Sequence, residues 1–139
     1  MPEEGDVVED FVRKVESFKP DLLALSCIEV TYPLGIRLLK ALRRAFPVPT
    51  VVGGPYATFA PEVVIRQDGV DMVCVGEGEG PLVDLCRKLR AGEDITHIGN
   101  LWVKKDGKLV KNPVRPPIDL DSLPEQDWTV YEKRRFWKP

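Results

Sequence analysis

The chain has 139 residues, 43% of them apolar and 30% charged, with a formal net charge of -2. That is enough for one domain with a real core and too little for two of ordinary size. A near-neutral charge balance speaks against sequence-independent nucleic-acid binding, which needs a basic stripe. No apolar run approaches the roughly 20 residues of a membrane span, and Glu3, Glu4 and Asp6 at the start do not fit a secretory signal, so a cytoplasmic protein is expected.

In chain order, Asp6 with Glu9 forms a capping box at the start of a first helix. Val7, Val8, Phe11, Val12, Val15 and Phe18 recur at three- and four-residue spacing and predict one buried face. Lys19-Pro20 stops the helix. Leu22 to Cys27 is a continuous apolar run, the pattern of a parallel strand covered on both faces. The loop from Ile28 to Thr31 leads into a second helix with Pro33 in its first turn and Leu34, Leu38, Leu39, Leu42 and Phe46 inward.

Thr50-Val51-Val52 reads as a second buried strand, broken at Gly53-Gly54-Pro55. A short helix is expected from Pro61 to Gln67, and a third strand from Asp71 to Val75. Gly76-Glu77-Gly78-Glu79-Gly80 then turns into a helix from Pro81 to Gly92, with Leu82, Leu85, Cys86 and Leu89 inward. Past residue 95 the style changes: Asp106-Gly107 between two short strand-like runs is a strong hairpin signal. From Asn112 the chain is rich in proline and charge. The expected division is an α/β domain with terminal hairpin over 1–111 and a linker over 112–139, in which Trp128, Tyr131, Phe136 and Trp137 are candidates for docking.

Strand–helix alternation with short loops predicts right-handed crossovers and a doubly wound parallel sheet. In such sheets ligands bind outside the carboxyl ends of the strands. Here those ends carry Ser26-Cys27, then Gly53-Gly54-Pro55, then Gly76 to Glu79. Each glycine turn taken singly fits a tight strand-to-helix connection equally well. Three side by side suggest a platform on which a bulky ligand lies against backbone.

Other chemistries find little support. Glu77 and Glu79 would repel a pyrophosphate, and no Gly-Lys-Ser/Thr is present. The same pair is either an acid/base pair or an acidic first turn suited to a helix dipole. Cys27, Cys74 and Cys86 are scattered and read as small hydrophobes; the single histidine, His97, reads as a surface residue. No catalytic centre emerges.

Lys19-Pro-Asp-Leu-Leu-Ala-Leu-Ser26, then Gly53-Gly54-Pro55-Tyr56-Ala57-Thr58, then Asp71-Met-Val-Cys-Val-Gly-Glu-Gly-Glu79 resemble the cobalamin-binding domain of radical S-adenosylmethionine enzymes. That group includes methyltransferases and the anaerobic magnesium-protoporphyrin ester cyclase type. The resemblance spans about residue 8 to 130, and the segment from Asn112 to Trp128 is similar to the connector that leads into the catalytic barrel. It implies a flavodoxin-like (Rossmann-like) fold, incomplete at its N-terminus by two strands, with a C-terminal β-hairpin.

It also implies cofactor contacts at Ser26 and Cys27, Thr31, Gly53, Gly54 and Pro55, and Gly76, Glu77, Gly78 and Glu79. No metal ligand is implied: the Asp-x-His-x-x-Gly loop of methionine-synthase-type domains is absent, as is the cysteine triplet of a radical enzyme's iron–sulfur cluster. The resemblance therefore implies a module that holds cobalamin while S-adenosylmethionine and the cluster belong to a radical partner domain. Against it stand an interaction or scaffold domain that has lost its cofactor, and a small enzyme using Glu77 and Glu79. With two strands missing, Leu22 to Cys27 becomes a sheet edge, and self-association through it is expected.

Overall fold

A computed structural model describes residues 4–130, with side chains from residue 7. Its centre is a five-stranded sheet of β1 (Leu23–Ser26), β2 (Thr50–Gly53), β3 (Met72–Cys74), β4 (Leu101–Lys105) and β5 (Lys108–Lys111), arranged spatially in that order. The first three strands are parallel, as the alternation predicts. The hairpin adds β4 and β5 antiparallel, continuing the sheet rather than capping it. Asp106 (φ 51°) and Gly107 (φ 74°) both sit in the left-handed region, which a tight two-residue hairpin turn demands.

Helices α1 (Glu4–Phe18), α2 (Tyr32–Ala45), α3 (Pro55–Phe59), α4 (Pro61–Ile65) and α5 (Glu79–Ala91) cover the sheet unequally. Side chains alternate along each strand. Val52 and Val73 therefore meet Ile36, Leu39, Ala57, Val64 and Ile65 on one face. Val51, Met72, Cys74, Leu101 and Val103 meet Leu85 and Ile98 on the other. A third cluster joins Val15 of α1 to Leu42 and Val48. Among the described residues no helix is long and apolar enough to cross a membrane.

Several expectations are corrected. The helix expected from Pro61 to Gln67 is present as α4 and ends two residues early at Ile65, whereas α3, separated from it by Ala60 (φ -133°), was not foreseen. The first helix starts at Glu4, ahead of the expected cap at Asp6. Phe18, Leu34 and Cys86, read as inward, are exposed. Periodicity finds an apolar stripe but not whether a neighbour covers all of it. The β1 run likewise is not buried on both faces: Ala24 and Ser26 are exposed, because the α5 cluster that covers that face of the sheet takes in residues of β2, β3 and β4 but none of β1. His97 is exposed, as read. Trp128 is 65% exposed, whereas Tyr131, Phe136 and Trp137 lie outside the described residues.

Candidate functional site

The parallel strands end together at one rim, and β1 and β2 run in register there, Ser26 beside Gly53. A cavity of about 360 Å³ opens at this rim, lined by Ser26, Gly53, Gly54, Gly76, Glu77, Gly78 and Glu79 together with Ala24, Val51 and Cys74. Seven of the ten sequence-predicted residues thus come together.

The remaining three do not line it. Cys27 is one residue past Ser26 and points to the opposite face, buried, its thiol directed at the Gly53 carbonyl at 3.8 Å. Thr31 closes the Ile28–Thr31 turn, its hydroxyl accepting from the Ile28 amide at 3.1 Å and donating to the Ile28 carbonyl at 3.2 Å. Pro55 opens α3, where its fixed φ and missing N–H suit a first helical position.

The two adjacent glycines serve different ends. Gly54 has φ 90° and ψ 179°, a region that is essentially glycine's alone. A Cβ there would stand 2.7 Å from the Cys27 carbonyl oxygen and 2.8 Å from the Ser26 hydroxyl. Gly53 has an ordinary backbone, and a Cβ on it would meet Cys74 Cβ at 3.6 Å, a normal contact. Its missing side chain leaves room in the cavity wall. Tyr32 of α2 and Tyr56 of α3 pack against each other, ring centroids 4.3 Å apart and tilted by 34°.

The third loop is held from several sides. The Gly76 amide donates to the Thr58 hydroxyl at 3.0 Å. Glu77, one of the two candidate acids, accepts the Ile118 amide at 2.8 Å on its carboxylate. Glu79 stands in the first turn of α5, where a carboxylate suits the positive end of the helix. Cys74 lies at the bottom of the cavity, and burial first, then the Glu79 charge, pushes its thiol up to about 11. It is an inert wall rather than a nucleophile.

Sequence reasoning missed Asn100. It is 2% exposed with φ 70°, and its side chain donates to the carbonyls of Val75 (2.9 Å) and Glu77 (3.2 Å). Asparagine just ahead of a strand, and tolerant of positive φ, is the signal that was available. Among the described residues no three His, Cys, Asp or Glu side chains converge as metal ligands.

The chain is similar to known proteins over most of its length. The anaerobic magnesium-protoporphyrin IX monomethyl ester cyclase of Rubrivivax gelatinosus is 31% identical over 95% of this chain and 25% of its own length. An uncharacterized methyltransferase of Pyrococcus horikoshii is 30% identical over 83% of this chain and 26% of its own. The chain therefore spans about a quarter of the length of these curated relatives.

Among solved structures, the radical S-adenosylmethionine methyltransferase TsrM from Kitasatospora setae superposes with a TM-score of 0.69 at 19% identity, covering 78% of this chain and 22% of that one. The cobalamin-dependent S-adenosylmethionine radical enzyme OxsB gives 0.67 at 19% identity, covering 82% and 16%. At such identities the likeness establishes the fold, a Rossmann-like α/β domain. A profile described as "B12 binding domain" matches residues 2–86, more than half of the chain and all three rim loops. The chain belongs to the B12-binding domain family.

Proposed function

We propose that this chain is the cobalamin-holding module of a cobalamin-dependent radical S-adenosylmethionine enzyme whose chemistry resides in a separate catalytic domain. The observation that carries the reading is the cavity at the strand ends, where Ser26, Gly53, Gly54 and Gly76 to Glu79 converge. All of them lie within the residues matched by the family.

Cobalamin, when bound, supplies a cobalt centre at which a methyl group or an electron is exchanged. The residues themselves bind and orient. Small side chains at Ala24, Ser26, Gly53 and Gly54 leave a smooth wall against which a bulky nucleotide tail can lie. The Ser26 hydroxyl offers a donor and an acceptor there. Gly76 to Glu79 form the opposite wall. Cys27, Thr31 and Pro55 act through the shape of the rim. The organisation proposed is a binding domain over 1–111 and a connector over 112–139, whose first residues lie against the domain through the Asn100–Pro113 and Glu77–Ile118 hydrogen bonds.

The test is a titration of hydroxocobalamin into the purified chain, followed by its visible spectrum and by calorimetry. Saturable binding with a spectral change is expected. A flat titration to high micromolar ligand would overturn the reading and leave the interaction-domain alternative. That alternative draws on one observation: among the described residues β1 has β2 as its single strand neighbour and Ala24 and Ser26 are exposed, so no described element covers the cavity on that side. The acid/base reading of Glu77 and Glu79 is weakened, since the Glu77 carboxylate is engaged by the Ile118 amide.

A further inference from the structure

Residues 112–118 run back across the end of β3, and their contacts converge on the loop that forms one wall of the cavity. Backbone bonds place the segment: the Asn100 amide donates to the Pro113 carbonyl at 2.9 Å, and the Arg115 amide donates to the Asn100 side-chain oxygen at 2.9 Å. The other end of the same side chain donates to the carbonyls of Val75 and Glu77. One buried amide group therefore holds the segment with its oxygen and the loop with its nitrogen.

Two further ties lie on either side. The Ile118 amide reaches the Glu77 carboxylate, and the Arg115 guanidinium reaches Asp84 on α5 at 2.7 Å. Arg115 gets there by crossing two glycines. A Cβ on Gly99 would lie 2.8 Å from Arg115 Cγ, and one on Gly80 would lie 3.0 Å from its Nη1. Neither glycine has a positive φ, and at Gly99 clearance for the stem of this side chain accounts for the missing Cβ. A second cavity, about 340 Å³, lies between the segment and the loop, lined by Glu77, Glu79, Asn100, Arg115 and Ile118 among others. The loop is thus a thin partition with the ligand cavity on one side and the segment on the other.

We propose that residues 112–118 are a strap that sets the position of the Gly76–Glu79 loop, with Asn100 as the positioning residue and the Arg115–Asp84 pair as the latch. The role of the loop toward cobalamin rests on the function proposed above; the mechanical link does not. A chain that continues from the strap into a further domain would then transmit its position to the cavity wall.

Hydrogen–deuterium exchange on the full 139-residue chain, without ligand, tests the link first. Asn100→Asp keeps the acceptor for Arg115 and the shape, but turns both donors into an oxygen facing two carbonyls. The amides of Val75 and Gly76, which donate to the Asn100 carbonyl and the Thr58 hydroxyl, are expected to exchange at least about tenfold faster, as loss of a buried hydrogen bond allows, while Leu23–Cys27 and Thr50–Gly53 keep their protection. Unchanged loop exchange, or an equal rise throughout the sheet, overturns the proposal. Should Asn100→Asp not fold, Arg115→Asp decides on the half-exposed latch. It is expected to loosen the same amides, and Asp84→Arg added to it is expected to restore them; absence of either effect overturns the link.

Hydroxocobalamin titration of the same variants is the second readout. Weaker binding in step with loop exchange ties the strap to the cofactor. If the unaltered chain binds no cobalamin, the functional reading falls, and the exchange result still judges the strap on its own.

Discussion

Gly53 and Gly54 look interchangeable in sequence, and the structure gives them opposite susceptibilities. Replacing Gly54 by alanine forces a Cβ against the Cys27 backbone at 2.7 Å from a backbone where side chains are not tolerated. The conformation alone costs about 1–3 kcal/mol. Relieving the contact requires shifting β1's last residues, which brings the sum to roughly 3 kcal/mol and lowers the unfolding temperature by roughly 10 °C. Gly53→Val meets neither obstacle. Its Cβ fits against Cys74, and valine suits a strand, so stability is expected within about 1 kcal/mol of the parent. Its methyl groups instead enter the cavity, and overfilling of about 1–3 kcal/mol corresponds to roughly five- to 150-fold weaker cobalamin binding.

Thermal unfolding by circular dichroism and a hydroxocobalamin titration on both variants separate the two effects. A Gly54→Ala protein that melts with the parent would refute the backbone argument. A Gly53→Val protein that binds with parental affinity would remove the cofactor from this cavity, whatever its stability.

Thiol labelling should find Cys86 alone reactive in the native protein, since it is exposed while Cys27 and Cys74 are 2% and 4% exposed; early modification of Cys74 would mean that the cavity floor opens. Stability should fall as pH rises from about 9 towards 11, because the unfolded thiol of Cys74 ionises near 9.0 while burial keeps the folded one protonated up to about 11. The unfolded state then binds fewer protons than the folded one, so up to about 2 kcal/mol is lost across that window. Denaturant titrations at both pH values should show a smaller loss in Cys74→Ala. At β1, an edge strand among the described residues, the amides of Leu23 and Cys27 point inward to Pro49 and Gly53, which leaves the Ala24 amide pointing outward. Concentration-dependent association is expected in sedimentation experiments and should weaken in Ala24→Pro, which removes that donor without touching the β1–β2 ladder; a strict monomer at high concentration would refute it.

What was legible in the sequence was what local chemistry decides. Asp106-Gly107 specifies its turn by the positive φ that both residues accept, and Gly92 ends α5 in the left-handed conformation expected of a helix-terminating glycine. The rim loops were legible because glycines placed directly after an apolar run both end the strand and leave backbone bare at its carboxyl end. Helix α3 was not, since five residues starting at a proline are too few to show a period. Phe18, Leu34 and Cys86 were misread because burial depends on a neighbour that the sequence of the helix does not contain. Asn100 was missed for the same reason on a longer scale: its partners Val75, Glu77 and Arg115 lie between 15 and 25 residues away.

The division of the rim residues follows from one further fact of strand geometry, that consecutive side chains face opposite sides. Ser26 and Cys27 were read as a pair, yet the alternation separates them, sending Ser26 to the cavity and Cys27 into the core beneath α2. In β2 the same alternation puts Val51 and Gly53 on the cavity side and Val52 on the other. Which side is open to a ligand is then decided by coverage. Helices α2, α3 and α4 fill one face of the parallel strands, whereas α5 lies over β3 and β4 and leaves the end of β1 open. A cavity at this rim can form only on the α5 side, where Gly53 supplies no side chain to close it and the strap holds the far wall in place.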